Sequence, residues 1–481
     1  MKYSKFIFSS LLAAGVCMAF SSCDKDEIIV GSTDSGNFGT SSDNVVFTTD
    51  ALGQEEGVEY TFSGIGTFNL YAATSQAIKG SCSVTYTYDP KVLENYNNAN
   101  YTDIKAVPAS AVELSNGGTV TFKEGEIKST PLTIDIAPGG SMQPDVVYAV
   151  PLSFTVNGGQ AANGENSMLL FVRDTSGFPG ADKTYNGQPA PKLMAVFEVN
   201  DRNPLSAMSF TLAGSGKQLF DQVVLFASNI NYNAATGQVY LHHNENVQAL
   251  LDNVNKYIRP LQERGMKVIL GILGNHDMSG ISTLSALGSK DFAQSVKQTI
   301  EGYGLDGVFL DDEYTDYNAA ASTTNPLFAP QSYENSSRLA YDIKQAMPDK
   351  LVISYKYSGL YKGVAIDGHQ PGEFFDYVVN DYWDTANPVD TYPGLRQNQA
   401  GTGSWNCSEW SQCIPANGAW TQRFSLEGMR TEGYGIMMVY NLNTDPGYWM
   451  TSYIISDLGK TSKAFYDEDL VYNGVFYGKD Y

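Results

Sequence analysis

Residues 303–314 read Tyr-Gly-Leu-Asp-Gly-Val-Phe-Leu-Asp-Asp-Glu-Tyr, an apolar run that ends in three carboxylates. A strand alternates its faces, so Phe309, Asp311 and Glu313 point one way and Asp312 the other. Two carboxylates on one face, two residues apart, repel when both are ionised, and one pKa is pushed up. A Glu held protonated near neutral pH can act as a general acid. The buried apolar strand before them argues against a merely solvated acidic loop. Asp311 and Glu313 are therefore the candidate catalytic pair.

The surrounding chain supplies a frame for such a pair. Residues 193–199, 223–226, 268–273, 308–310, 351–354, 377–379 and 436–440 are short apolar runs. Helical patterns lie between them at 246–264, 289–303, 332–347 and 421–432. Apolar strands alternating with helices predict a parallel sheet covered by helices, and this length fits an α/β (β/α)8 barrel of the TIM type. The eighth strand is expected near Leu395 to Gly401. Chemistry in such barrels sits where strands end. Polar residues cluster there: Asn200-Asp201, Ser228-Asn229, Asn275-His276, Asp311-Asp312-Glu313, Asn380-Asp381 and Tyr440-Asn441. Asn275 and Tyr440 are pocket candidates, with plain packing as the alternative. Ahead of the barrel, residues 45–165 carry short β-branched and aromatic runs separated by turn residues, the pattern of an all-β sandwich with one helix near Pro90 to Asn98. Residues 166–189 read as a linker and 190–481 as the barrel domain.

The first 22 residues read as a leader. Lys2 and Lys5 precede an apolar run to Phe20 that is too short to span a bilayer, followed by Phe20-Ser21-Ser22-Cys23. This resembles a bacterial lipobox, with Cys23 lipidated; an ordinary secretory cleavage site is the alternative. Asp24-Lys25-Asp26-Glu27 resembles a surface-export signal, so the expected location is the outer membrane, facing outward, with membrane contact through the anchor only. Residues 23–44 read as a flexible Gly/Ser/Thr/Asp tether. Of 30 basic and 52 acidic residues, the leader removes two lysines, leaving 28 against 52, a balance of −24. Such a surface repels phosphate backbones, so no nucleic-acid partner is expected. Only 4 His are present, none at zinc spacing, so neither metal nor cofactor is expected. Cys82 reads as a small buried hydrophobe. Cys407 and Cys413 lie six positions apart, and an exported protein permits a disulfide between them; pairing is left open.

The run at 303–314 resembles the Asp-Gly-x-Asp-x-Asp-x-Glu signature of glycoside hydrolase family 18. It is more similar still to endo-β-N-acetylglucosaminidases of the endoglycosidase H and F type, through residues 303–308 and 311–314. Lys267 to His276, Ala346-Met347-Pro348-Asp349-Lys350, Glu432-Gly433-Tyr434-Gly435 and Tyr440-Asn441-Leu442 also match, so the resemblance covers roughly 190–465. The resemblance implies substrate-assisted, retaining hydrolysis of the GlcNAc-β-1,4-GlcNAc bond in the N-glycan core. The sugar's 2-acetamido oxygen attacks its own anomeric carbon and forms an oxazolinium. Glu313 protonates the leaving oxygen and then deprotonates water, while Asp311 polarises the acetamido N–H. By the same likeness Tyr382 contacts the acetamido carbonyl and Asn380 binds the same sugar. Trp405, Trp410 and Trp420, in the loop 397–420, would bind glycan arms or staple the loop, with Trp410 taken as a substrate-binding candidate. Phe309 stands where the family signature has Asp, which leaves the titration of Asp311 and the pH optimum open. Residues 45–165 resemble a sandwich domain of surface glycan-processing lipoproteins, through Asp89-Pro90, residues 96–101 and 147–152, with the role of spacer or sugar-binding module. The implied partners are N-linked glycans of glycoproteins, high-mannose by similarity. Chitin hydrolysis and non-catalytic glycan binding are the competing readings.

Overall fold

The structure, a computed structural model, describes residues 44–49, 59–143, 146–162, 166–382, 384, 386–409, 419–421 and 424–481. The expected leader at 1–22, Cys23, all of the tether but Asn44, and Trp410 and Cys413 lie outside these residues.

The N-terminal part is two β-sheets packed face to face. One has the order 159–161, 44–49, 66–74, 132–136, 112–114; the other runs 59–62, 167–174, 147–157, 83–88, 119–121. Alternation along each strand supplies the shared core: Val46, Leu70 and Ile134 of the first sheet pack with Val84, Tyr86, Leu152 and Leu170 of the second. The expected helix runs Pro90–Asn100, with Asp89 capping it by accepting from the Lys91 N–H. The sandwich extends beyond residue 165. Ser167–Asp174 pairs antiparallel with Val147–Asn157, inside the stretch expected as a linker. The run Met168-Leu169-Leu170-Phe171-Val172 hid this strand, because contiguous apolar residues show no alternation.

Eight parallel strands close into the barrel: β1 (Lys192–Glu198), β2 (Gln222–Asn233), β3 (Lys267–Leu273), β4 (Gly307–Leu310), β5 (Leu351–Lys356), β6 (Tyr377–Asn380), β7 (Ala400–Gly401) and β8 (Ile436–Tyr440). Closure is β1 on β8, in register from Lys192↔Ile436 to Val196↔Tyr440. β7 is the strand expected near 395–401, reduced to two residues. Strand parity divides the apolar residues. Met194, Val196, Val224, Ile269, Phe309, Ile353, Val379 and Met438 fill the barrel. Leu193, Ala195, Val223, Val268, Val308, Val352, Val378 and Val439 face the helices. Burial on both faces is why these strands read as continuous apolar runs. The helix expected over 246–264 is three short pieces, Glu245–Asp252, Val254–Tyr257 and Arg259–Glu263, broken at Asn253 and restarted at Pro260. The helix expected over 421–432 is confined to Leu426–Thr431.

Polar contacts fasten the N-terminal part to the barrel. Arg173, on the last sandwich strand, reaches Glu59 at 2.7 Å and Glu263 of the helix before β3 at 3.0 Å. Below the barrel the buried Lys183 donates to Asp221 at 2.9 Å and to the carbonyl oxygens of Ala181 and Gln218.

Candidate active site

The β4 ladder continues past its last regular residue. The Asp311 N–H donates to the Ile272 carbonyl at 3.0 Å, and the Gly274 N–H to the Glu313 carbonyl at 3.1 Å. The alternation therefore persists to Glu313. Phe309, Asp311 and Glu313 line one cavity of about 510 Å³, with Val196 of β1, Phe226 of β2, Tyr355 of β5, Tyr382 after β6, and Met438 and Tyr440 of β8. Gly274 makes the last of those contacts possible: a Cβ there would lie 2.7 Å from the Glu313 carbonyl oxygen and 2.4 Å from Thr315 Oγ1. The His276 N–H adds a 2.6 Å bond to the Tyr314 carbonyl, so the β3 loop holds the backbone on both sides of the acid.

The three carboxyl groups have different settings. Asp312 points outward and is fully buried. It accepts from the Ser282 N–H (3.1 Å) and Oγ (2.7 Å), the Gly359 N–H (2.8 Å), Tyr317 Oη (3.0 Å) and Gln331 Nε2 (3.3 Å). Asp311 points inward and is 3% exposed. Its Oδ1 has no hydrogen-bond partner among the described residues. Burial, then Glu313, Asp312 and Asp381, push its pKa well above the ordinary value. Glu313 is half-buried, and its pKa is raised by burial first, then by Asp381 and Asp312. A raised carboxyl stays protonated to higher pH, which suits proton donation. Asp311 and Glu313 thus form a coupled pair whose protons belong to the site as a whole.

Tyrosines make most of the remaining wall. Tyr355 Oη donates to Asp381 Oδ1 at 2.7 Å, and the Tyr382 N–H donates to the same oxygen at 2.6 Å. Ring centroids lie 6.1 Å apart for Tyr355–Tyr382 and 5.9 Å for Tyr382–Tyr440. The Tyr440 hydroxyl hydrogen-bonds Glu198, which also accepts from Asn200 Nδ2 at 2.8 Å. Burial raises the pKa of Glu198, with Asp201 adding to it. Phe309, 2% exposed, packs 6.0 Å from Tyr355 and 6.3 Å from Phe226, so an aromatic floor lies where the family signature has a carboxylate.

Of the residues singled out from sequence, Asp311, Glu313, Tyr382 and Tyr440 meet in the cavity. Asn275 does not line it; its amide donates to Asn231 Oδ1 at 2.7 Å on the rim between β2 and β3. Asn380 is a correction. It is fully buried, and its Nδ2 donates to the carbonyl oxygens of Asp384 (3.2 Å) and Ala386 (2.8 Å), so it holds the loop that carries Tyr382. Trp405 is also fully buried and its backbone pairs with Val439, which makes it a staple of the loop and not a sugar platform. Cys407 is buried, and its pairing with Cys413 falls outside the described residues. No group of side chains able to hold a metal occurs among the described residues.

Sequence reasoning missed Tyr355, Glu198, Phe226 and Met438 as site residues, and gave Asp381, noted among the polar strand ends, no role. Parity was the available signal. Ile353 and Tyr355, Val379 and Asp381, Val196 and Glu198 are each two apart on an inward face. The same rule turns Asn380 outward.

Comparison with known proteins follows the division of the chain. Residues 40–161 match a family model described as an N-terminal domain. Endo-beta-N-acetylglucosaminidase F1 of Elizabethkingia meningoseptica is 42% identical over 291 residues, which cover 60% of this chain and 82% of that protein. An endo-beta-N-acetylglucosaminidase of Flavobacterium sp. (strain SK1022) is 34% identical over 269 residues, 56% of this chain and 79% of that one. The crystal structure of EndoBT-3987 of Bacteroides thetaiotamicron with Man5GlcNAc product shares 30% identity at a TM-score of 0.55, covering 90% of this chain and 97% of that one. The same protein in complex with Man9GlcNAc2Asn substrate gives 29% identity and a TM-score of 0.54 over the same shares.

Proposed function

The chain belongs to the endo-β-N-acetylglucosaminidases, and on that premise we propose that it hydrolyses the GlcNAc-β-1,4-GlcNAc bond of the N-glycan core, leaving one GlcNAc on the protein. The observation that carries this is the convergence of Asp311 and Glu313 on one cavity, the first with a buried oxygen that lacks a partner among the described residues. A buried polar atom without a partner costs free energy that a substrate donor can recover. The acetamido N–H of the sugar in the cavity is such a donor. Its bond to Asp311 turns the acetamido oxygen into the nucleophile at the anomeric carbon, and Asp311 stabilises the positive charge that develops. Glu313, raised and half-buried, gives its proton to the leaving oxygen. It then takes a proton from the water that opens the oxazolinium, so configuration is retained. Tyr382 faces the same space and would hold the acetamido oxygen, with Asn380 and Asp381 fixing its backbone.

Neutral walls of Tyr, Phe, Val and Met favour an uncharged sugar substrate. A linear chitin substrate is not favoured, since the two relatives compared above are endo-β-N-acetylglucosaminidases. High-mannose glycans are the proposed class, supported by the Man9GlcNAc2Asn bound to EndoBT-3987. Incubating the chain with a high-mannose glycoprotein, and separately with chitin, tests this: a mass loss that leaves one GlcNAc, abolished by Glu313→Gln, is expected. Release of chitobiose from chitin alone would overturn it, as would sugar binding without cleavage. We also propose that Cys23 carries a lipid and that the protein faces outward from an outer membrane, supported by Phe20-Ser21-Ser22-Cys23 and the acidic residues after it. Metabolic labelling with a fatty acid, lost in Cys23→Ser, checks the anchor.

A further inference from the structure

A series of aromatic rings leads out of the cavity along β5. Phe309 on the floor faces Tyr355 at 6.0 Å and 32° between planes, and Tyr355 faces Tyr357 at 6.1 Å and 26°. The three rings are 2%, 6% and 41% exposed, so the third presents a face to solvent. Next to Tyr357 in the chain, Ser358 and Gly359 line an open groove of about 490 Å³ together with Gln331, Ser332 and Tyr333. That volume falls in the roughly 300–1,000 Å³ range of sites for small ligands.

The groove is built on the catalytic strand. Asp312, the residue between Asp311 and Glu313, accepts from the Gly359 N–H and from Gln331 Nε2. Ser358 Oγ bonds Gln331 Nε2 at 3.0 Å and Tyr317 Oη at 2.9 Å, and Tyr317 Oη also bonds Asp312. Gly359 is required for so close an approach: a Cβ there would lie 2.3 Å from the Ser282 side chain and 2.5 Å from Asp312 Oδ2. The groove is therefore held rigidly against Asp312, on the outer side of the catalytic strand, and its lining is uncharged: amide, hydroxyls and a phenol.

Cleavage separates two pieces that depart on opposite sides of the reacting bond. The piece whose oxygen Glu313 protonates is the single GlcNAc on asparagine, with the polypeptide behind it. We propose that this leaving side of the substrate lies across the rim between the β4 and β5 loops. Tyr357 is the platform for the departing sugar, and the Gln331–Ser358 groove receives the asparagine and adjoining peptide. The flat apolar face of a pyranose suits an exposed tyrosine, and amide and hydroxyl groups suit a peptide backbone. This deepens the function proposed above and rests on it.

The test compares two substrates that differ only in this piece: a high-mannose glycopeptide, and the preformed oxazoline of the same glycan, which has no leaving sugar. Tyr357→Ala is expected to raise KM for the glycopeptide about tenfold, near the upper end of what one aromatic contact contributes, while oxazoline hydrolysis stays within about twofold. Tyr357→Phe keeps the ring and restores the glycopeptide value. Gln331→Ala is expected to raise KM for the glycopeptide and to spare the glycosylated free asparagine. Equal losses on both substrates would make Tyr357 a structural residue and overturn the proposal, and so would no change on either. Failure of the unsubstituted chain to cut the glycopeptide would instead refute the activity itself, and it is seen before any substitution is made.

Discussion

At the end of β4, Asp312 on the outer face meets two backbone N–H groups, two hydroxyls and an amide. Asp311, one residue earlier on the inner face, has a buried oxygen that no group among the described residues reaches. Both side chains are almost completely buried. The difference shows two uses of one residue type. A saturated carboxylate ties the β3, β4 and β5 loops together. An unsaturated one stores an unmet demand for a donor, which a ligand can supply. Glu313 shares the inner face but is half open, so it can exchange protons with substrate and water.

If the inner face is the chemical one, Glu313→Gln gives the largest effect. Loss of a general acid is expected to lower kcat about 10²–10⁴-fold, with the far-UV circular dichroism unchanged; wild-type rates on glycoprotein would show that another group donates the proton. On the outer face, Asp312→Ala leaves the donors of Ser282 and Gly359 buried and unmet. Unfolding free energy is expected to fall by about 3 kcal/mol, read by urea denaturation. A loss confined to activity would erase the contrast between faces.

Asp311 sharpens the comparison through pH. Its pKa is raised in the fold, by burial first and then by the Glu313, Asp312 and Asp381 carboxylates. The folded chain therefore holds this proton more tightly than the unfolded one. Stability from the group is complete below the ordinary aspartate pKa and is lost as pH rises through the raised value. Asp311→Asn removes that loss, so the variant should gain in Tm on the parent as pH rises from acid to neutral, while kcat falls. Parallel Tm profiles would mean that Asp311 is not strained. The smallest effect is expected from Tyr355→Phe, which removes one bond to Asp381. A loss of about 1 kcal/mol in transition-state stabilisation, or roughly fivefold in kcat/KM, would fit a wall that orients Asp381.

Much of this was legible in the chain. Seven strands followed from apolar runs and the Asp311–Glu313 pair from alternation, while the eighth strand was expected only from the closure of the repeat, near 395–401. Where the reading failed, a local rule met a tertiary fact. Ser167–Asp174 was hidden because a strand buried on both faces carries no period-two signal. Asn380 was placed with the sugar by likeness, although Val379 points inward and its neighbour cannot. Tyr355 went unremarked because its strand was ended two residues early, and Asp381, though noted among the polar strand ends, was given no role.

Residue types and their alternation were enough to decide that the chain makes a barrel, and which carboxyl groups share a face. Alternation is a covalent property of extended backbone, so it is written in the order of residues. Which of two adjacent aspartates is satisfied, and which wall Tyr355, Tyr382 and Tyr440 complete, required the closed barrel. Asp312 meets Gly359, 47 positions on, Tyr355 reaches Asp381, 26 positions on, and the closure of the barrel pairs Lys192 with the distant Ile436; no short-range pattern carries these contacts.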